Sequence, residues 1–224
     1  IGTYIFIGFF FIQRELGTAM VIFAAMILSQ FVYEKDYKLI TINIILMLIG
    51  LVFAYKVMSH IQLRFEIWKD PWADPDNKGY QIVQSLIAIS SGSFFGEGLG
   101  LGHPSFIPVA ESDFIFPAII EEMGIFMGIA IVMLYLILIY KAFQIGFKQH
   151  NKFYSVLSFV IASMLGVQTL LILGGVLKIV PLTGIVVPFL SQGGSAMISG
   201  FILIACLQFS QEEIKVEEVL DEEK

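Results

Sequence analysis

Long apolar runs separated by short polar stretches make up most of this chain of 224 residues. The hydrocarbon core of a bilayer is about 30 Å thick, so a helix needs about 20 mostly apolar residues to cross it. The runs therefore predict crossing helices at about 16–33, 38–58, 80–95, 113–140, 153–174 and 189–209. Residues 1–12 are interpreted as the end of a truncated helix.

The predicted helix at 80–95 differs from the others because it is short and polar for a crossing segment. Irregular or polar backbone at membrane depth is tolerated where protein or a water-filled cavity satisfies it. A partly re-entrant or water-lined segment in the wall of a cavity is therefore the alternative to a full crossing here.

Composition agrees with a membrane protein and excludes a soluble domain. Hydrophobic residues make up 57% of the chain, which contains 21 Phe, and its mean hydropathy is +0.85. We therefore expect an all-α fold, a polytopic transmembrane helix bundle with a large extracytoplasmic loop. Residues 1–210 are assigned to the transmembrane domain and residues 211–224 to an acidic tail, which carries most of the net charge of −6.

Lys and Arg in short connections favour the cytoplasmic side of the membrane. Basic residues occur in the connections at 59–79 and 141–152, so both are placed inside. Counting crossings between them puts the 96–112 and 175–188 loops outside and the acidic tail in the cytoplasm. The same count leaves Lys35 and Lys38 outside, against the preference, and puts Arg64 and Trp68 inside with a structural role.

Three carboxylates lie at the start and in the first turns of the apolar helix predicted at 113–140, namely Asp113, Glu121 and Glu122. A charge at bilayer depth costs about 2.5–3.5 kcal/mol on insertion scales, so each is a candidate functional residue. Asp113 could act as a general base. Glu121 shares a helical face with Asp113. Its role is either that of a second acid or metal ligand, or that of a polar group paired with another helix.

Two loops flank these carboxylates. The loop at 92–112 is rich in glycine, which indicates either tight turns alone or close approach of a ligand. The loop at 178–195 is broken by two prolines and ends in small residues, which either line a cavity or allow close helix packing. Lys178 is the cation best placed there to meet an anionic head group.

Several short motifs occur together in a characteristic order. They are Gln13-Arg14-Glu15-Leu16-Gly17-Thr18-Ala19, Pro71-Trp72-Ala73-Asp74-Pro75, Gly79-Tyr80-Gln81, Asp113-Phe114-Ile115-Phe116, Glu121-Glu122-Met123-Gly124, Pro181-Leu182-Thr183-Gly184 and Pro188-Phe189-Leu190-Ser191-Gln192-Gly193-Gly194-Ser195. This set resembles the SEDS family of FtsW, RodA and SpoVE over residues 13–207. It corresponds to the C-terminal part of the family's ten-helix fold, and the family's N-terminal helices have no counterpart in this chain.

The resemblance implies a peptidoglycan glycosyltransferase in the bacterial cytoplasmic membrane that polymerises lipid II at the outer face. The expected partners are a class B penicillin-binding transpeptidase, lipid II and a glycan linked to polyprenyl pyrophosphate, with no nucleic acid. Asp113 matches the family's essential acid. The other residues expected at the site are Glu121, Lys178, Thr183, Ser191, Gly193, Gly194 and Ser195. A divalent metal, Mg²⁺ or Mn²⁺, could help to stabilise the leaving group.

Two other functions stay open at this point. A flippase or other transporter of a lipid-linked precursor would use the carboxylates as proton or ion sites and the broken helix near 181–195 as a gate. An inactive scaffold for the transpeptidase would need none of the carboxylates. A transporter depends on an ion gradient, whereas a polymerase makes glycan without one.

Overall fold

The computed structural model describes residues 2–34 and 36–222, except for the side chains of residues 213 and 215–222, and this part of the chain contains α-helices and no β-strand. The helices are α1 (Gly2–Ile12), α2 (Leu16–Tyr33), α3 (Tyr37–Val57), α4 (Ser59–Lys69), α5 (Tyr80–Ser91), α6 (Ile115–Lys148), α7 (Lys152–Val176) and α8 (Gly194–Glu222). Short 3₁₀ turns occupy Pro71–Ala73 and Pro104–Phe106. Lys35 and the end of the acidic tail, at 223–224, lie outside the described residues.

Five helices are long and apolar enough to cross a membrane, namely α2, α3, α6, α7 and the part of α8 from Gly194 to Glu212. They confirm the crossings predicted near 16–33, 38–58, 113–140, 153–174 and 189–209. The helix predicted at 1–12 is present as α1. Beyond its apolar part, α8 continues to Glu222, so the described part of the acidic tail is helical.

The predicted crossing at 80–95 is wrong, because the helix there does not have the length to cross. α5 has 12 residues, which is about 18 Å at 1.5 Å per residue, against about 30 Å of hydrocarbon. Its buried face consists of Ile82, Val83, Ser85 and Ala88. The alternative of a segment that does not cross therefore fits the structure.

This correction also moves residues 59–79 to the other end of the helices. Without a crossing at α5, the connections at 58–114 and 177–193 lie at the same end. Direct bonds join them: Arg64 Nη1 donates to the Thr183 carbonyl and Trp68 Nε1 donates to the Lys178 carbonyl. The prediction that Arg64 and Trp68 lie on the opposite side from the 175–188 loop is therefore wrong, because α5 was counted as a crossing.

The chain forms two compact units. The first contains Ile1–Leu48, Leu136–Val167 and Gly194–Lys224, and the second contains Ile49–Tyr135 and Gln168–Gly193. In the first unit, polar side chains within the helices bond to one another or to backbone. Asn43 is buried and bonded to Tyr4 and Gln30, and the buried Gln149 donates to the Ser210 carbonyl.

The second unit has an apolar core built from helices and connections together. One cluster contains Ala88 of α5, Ile107, Phe114 and Val176 of α7, with Leu182 packed against it. A neighbouring cluster joins Phe116, Ile120 and Leu173. Burial of these side chains holds both connections against α5, α6 and α7.

α6 is broken at Gly124, where φ is 82° and ψ is 170°. At this point the Ile125 amide donates to the Ser93 carbonyl (3.0 Å), while the carbonyls of Glu121 and Glu122 accept from the amides of Glu97 (2.9 Å) and Gly98 (3.0 Å). We call this contact between 92–98 and 120–125 the loop–kink interlock. It replaces the helical hydrogen bonds that the kink removes, as a membrane interior requires.

The interlock depends on glycine because the two backbones touch. A Cβ atom on Gly124 would lie 2.3 Å from the Phe94 carbonyl oxygen, and one on Gly96 would lie 2.2 Å from that of Glu122. The φ and ψ of Gly124 also belong to a region that is open essentially to glycine alone. Part of the glycine pattern near residue 92 therefore serves a close backbone contact.

We expect Gly124→Ala to lower the free energy of unfolding by about 3 kcal/mol or more, because it adds backbone strain to a steric clash. Gly50→Ala is the matched control, since Gly50 lies within α3 and a Cβ there meets nothing within 4 Å. Thermal unfolding of the purified protein measures both variants. Equal stability of the two would show that the kink does not need glycine.

Candidate functional site

Asp113 lies two residues before the start of α6 and is half-buried. The next residue, Phe114, is only 2% exposed and belongs to the apolar core, and Pro117 in the first turn of α6 is also buried. The Ser112 hydroxyl donates to Asp113 Oδ1 (3.2 Å). The carboxylate thus extends from a backbone that is anchored on its C-terminal side by core packing.

The backbone before Asp113 is held by the connection between α7 and α8. The Gln192 amide donates to the Glu111 carbonyl (2.8 Å). The Ser191 hydroxyl donates to the Ser112 carbonyl (2.6 Å) and accepts from the Val187 amide (2.8 Å). Two neighbouring residues of one connection therefore bind two successive carbonyls next to Asp113.

That connection is itself fixed to α6 and α7. The buried Tyr135 hydroxyl of α6 donates to the Pro188 carbonyl, and Gln168 Nε2 of α7 donates to the Val186 carbonyl (3.1 Å). Val187 between them is 1% exposed. The irregular backbone around Pro188 therefore has protein partners, which is the condition for such backbone at membrane depth.

Arg64 is a cation within electrostatic range of Asp113. It lies on α4, is half-buried, and donates from Nη1 to the Thr183 carbonyl (2.6 Å). Burial lowers the pKa of Arg64 below its ordinary value, and the negative charge of Asp113 opposes that shift. Gly184 leaves room for the guanidinium, since a Cβ there would lie 2.8 Å from Nη2. Its φ of +71° also favours glycine at this position.

Sequence reasoning missed Arg64 because it placed residues 59–79 on the other side of the membrane. The signal that could have found it was the length of the 80–95 segment, which is short for a crossing. If that segment does not cross, residues 59–79 come to the same end as the 175–188 loop.

Lys178 lies on the same connection as Thr183. Its φ is +60°, its side chain is half-buried, and its carbonyl accepts from Trp68 Nε1 (3.1 Å). Trp68 therefore holds the turn after α7, in addition to its position near the membrane boundary. A contact of the Lys178 ammonium with substrate stays a prediction.

The other predicted substrate contacts differ in exposure. Ser191 is 4% exposed, and its hydroxyl is bonded to the Ser112 carbonyl and the Val187 amide. The Thr183 hydroxyl is buried without a partner among the described residues. Gly193 is half-buried, whereas Gly194 and Ser195 are exposed at the start of α8, in the first unit. Ser191 thus supports the backbone before Asp113, and the Thr183 carbonyl binds Arg64. Substrate contacts of all five residues stay predictions.

Glu121 binds the glycine-rich loop. It is 6% exposed, and its Oε1 accepts from the His103 amide (3.2 Å), while Oε2 has no partner within the described part of the chain. Its partner is thus loop backbone, in place of a second helix. The carboxylates of Asp113 and Glu121 have different hydrogen-bond partners.

Glu122 lines an open cavity of about 540 Å³ between the 104–111 loop and α6. Glu111 is the other carboxylate in its lining, which is otherwise mainly apolar. In the described part of the chain, no group of three or more His, Cys, Asp or Glu side chains is arranged to hold a metal ion. The donor set therefore does not form a metal centre by itself.

The site can perform two kinds of chemistry. A half-exposed carboxylate on a fixed backbone can accept a proton from a hydroxyl that approaches it. A guanidinium held by a carbonyl on one side keeps further N–H donors, which match the oxygens of a phosphate group.

Comparison with known proteins agrees with this fold. The family model FTSW_RODA_SPOVE, described as a cell cycle protein, matches residues 1–215. The peptidoglycan glycosyltransferase RodA of Mycobacterium tuberculosis is 36% identical over 201 residues, which cover 90% of this chain and 43% of that protein. A probable peptidoglycan glycosyltransferase FtsW of a Geobacter species is 31% identical over 205 residues, covering 91% and 56%.

A solved structure has a similar fold. It is described as "Structural coordination of polymerization and crosslinking by a peptidoglycan synthase complex", and it matches with a TM-score of 0.71 and 23% identity over 95% of this chain and 60% of that chain. This chain spans about half the length of the curated relatives that it matches. Because the family model covers nearly all of its residues, the chain belongs to the FtsW/RodA/SpoVE family of cell cycle proteins.

Proposed function

We propose that this protein polymerises lipid II into peptidoglycan glycan strands, with Asp113 as the general base. The observation that carries the proposal is the position of Asp113, on a backbone bound by Ser191 and Gln192 and within electrostatic range of Arg64. Relatives that share this region are named peptidoglycan glycosyltransferases. An acid and a cation held by one scaffold are suited to a reaction that moves a proton and releases a phosphate.

The proposed reaction adds one disaccharide unit to the glycan. Asp113 takes the proton of the 4-hydroxyl of the incoming lipid II sugar, and that oxygen attacks the anomeric carbon of the glycan donor. The bond from that carbon to the pyrophosphate oxygen breaks with inversion, and polyprenyl pyrophosphate leaves. Its negative charge is stabilised by Arg64 of α4, with Lys178 of the connection after α7 as the second cation.

A divalent metal stays a proposal for this reaction. The described residues do not form a metal-binding group of three or more ligands, so the steps above use only protein groups. A class B penicillin-binding transpeptidase stays a proposed partner. A structural relative of this chain belongs to a peptidoglycan synthase complex, which supports that proposal.

The proposed orientation places the site outside the cell. Along the chain, α3 separates Lys38 from residues 58–114, and α6 separates Asp113 from the connection at 149–151. Lys38, Lys148 and Lys152 therefore lie one crossing away from Asp113 in chain order, and their density favours the cytoplasm. The acidic tail after α8 then lies in the cytoplasm too. Lys38 now agrees with the preference, while Arg64, Lys69 and Lys78 lie outside, on the longer connection at 58–114.

We expect Asp113→Asn to reduce polymerisation of lipid II by at least about 100-fold, because the amide keeps the shape of the side chain but cannot act as a base. Gel analysis of glycan made from lipid II by the purified protein with its transpeptidase, without an ion gradient, measures this. Asp76→Asn, an exposed carboxylate in the turn before α5, is the control and should stay active.

Equal polymer from Asp113→Asn and Asp76→Asn would remove Asp113 from the chemistry. An absence of polymer from the unaltered protein, together with gradient-dependent movement of lipid-linked precursor, would support a transporter instead.

We expect Arg64→Gln to reduce polymerisation by about 100-fold, because both the positive charge and the bond to Thr183 are lost. Arg64→Lys should reduce polymerisation by about 10-fold, since it keeps the positive charge but lacks the planar guanidinium with its several N–H donors. Lys69→Gln, at the exposed end of the same helix, should change little. A purely structural role of Arg64 would instead lower the melting temperature and leave the rate per folded molecule unchanged.

We expect Ser191→Ala to cost about 1–3 kcal/mol of stability, because the Val187 amide and the Ser112 carbonyl both lose a buried partner. Polymerisation should also fall, by about 10-fold, since the backbone of Asp113 is less well fixed. Ser199→Ala is the control, because its hydroxyl bonds only to a carbonyl of its own helix. Full activity of Ser191→Ala with lowered stability would show that Ser191 stabilises the fold but does not position Asp113.

A further inference from the structure

A groove between α6 and α8 in the first unit lies away from the site described above. Its volume is about 530 Å³. Ten residues line it, five from each helix: Leu138, Lys141, Gln144, Ile145 and Lys148 from α6, and Ile204, Leu207, Gln208, Gln211 and Ile214 from α8. The spacing of three or four residues puts each set on one face of its helix.

Polarity changes along the groove. Leu138 and Ile204 lie at its apolar end, and Lys148 and Gln211 lie toward the end of α6, where the crossing finishes. Lys141 is seven residues before Lys148, which is about 10 Å along the helix axis. The groove therefore combines apolar walls with amide and ammonium groups, as a space for one lipid would.

The lysines of the groove have no described counter-ion. Lys141 is exposed at the end of the apolar run of α6, and its described hydrogen bond is to the neutral Gln144 Oε1 (3.2 Å). Neither Lys141 nor Lys148 forms an ion pair with a carboxylate among the side chains that the structure describes. An anion in the groove would be attracted by both ammonium groups.

The chemistry of the lining identifies the class of anion. Two ammonium groups and three glutamine amides supply donors for a phosphate and its polar substituent, while the leucine and isoleucine side chains suit acyl chains. Basic pockets between transmembrane helices at the cytoplasmic side bind anionic head groups in this manner. Glu212 is exposed and is not part of the lining.

We propose that this groove binds one anionic phospholipid, with its phosphate between Lys141 and Lys148 and its chains along Leu138, Ile145, Ile204 and Leu207. The proposal concerns a part of the chain that the polymerisation reaction does not use, so the two can fail separately.

Native mass spectrometry of the purified protein with added phosphatidylglycerol or phosphatidylcholine of identical chains tests it. We expect the protein to prefer phosphatidylglycerol. Lys141→Gln combined with Lys148→Gln should weaken that binding by about 30-fold, at about 1 kcal/mol per lysine, and should leave phosphatidylcholine binding unchanged.

The matched control is Lys38→Gln combined with Lys152→Gln, which removes the same charge without touching the groove. Lys38 is exposed near the start of α3, and the Lys152 ammonium lies 5.1 Å from the centre of the Tyr33 ring. This control should change phosphatidylglycerol binding by less than about 2-fold. Ile204→Trp should weaken it by filling the groove at unchanged charge.

Three results would overturn the proposal. Equal affinity for the two lipids would show that no anion is recognised. Equal losses in the two double variants would show a general effect of surface charge. Competition by glycerol 3-phosphate at the concentration of the lipid would show a phosphate site without a place for chains.

Discussion

The break in α6 at Gly124 is the constraint on which the rest of the second unit depends. A helix that crosses a bilayer satisfies its own backbone, so a break leaves amides and carbonyls that only protein can satisfy. Residues 93–98 supply those partners through three backbone hydrogen bonds. The glycine-rich segment is thereby held against α6, and the chain that follows it returns to the start of the same helix at Asp113.

A second set of contacts places Asp113 accurately. The connection between α7 and α8 reaches the carbonyl of residue 112 across 79 positions of sequence, and α4 reaches the same connection across 119. Each partner is itself anchored, either by core packing or by hydrogen bonds from Tyr135 and Gln168. A carboxylate supported in this way keeps its direction, which is the condition for efficient proton transfer.

The two units show two uses of polar groups within helices of a membrane protein. In the second unit, polar groups satisfy irregular backbone and support a carboxylate and a guanidinium. In the first unit, Asn43 and Gln149 bond to neighbouring polar groups, while Lys141 and Lys148 face an open groove. Polar groups that already have protein partners stabilise the fold, whereas lysines beside a cavity with no carboxylate partner among the described side chains suit the anionic ligand proposed above.

Apolar run length predicted five of the crossing helices, because the bilayer requires about 20 apolar residues whatever the neighbouring helices do. The order of short motifs indicated the family and Asp113. The segment at 80–95 is short for a crossing, and this length was the sequence evidence against one. The local pattern of apolar residues did not decide the question, because a helix that stays on one side and a helix that crosses have the same pattern when both are covered by protein.

The sequence alone therefore determined that the chain is a helical membrane protein of this family with a candidate acid at Asp113. Only the tertiary structure decided that Arg64 lies within electrostatic range of that acid, that Ser191 binds the Ser112 carbonyl, and that Glu121 binds the His103 amide. Those contacts join residues far apart in sequence, and their geometry follows from the kink at Gly124 and from α5 remaining on one side. Neither property is contained in a local pattern of apolar and polar residues, because both depend on which backbone groups find partners in the folded chain.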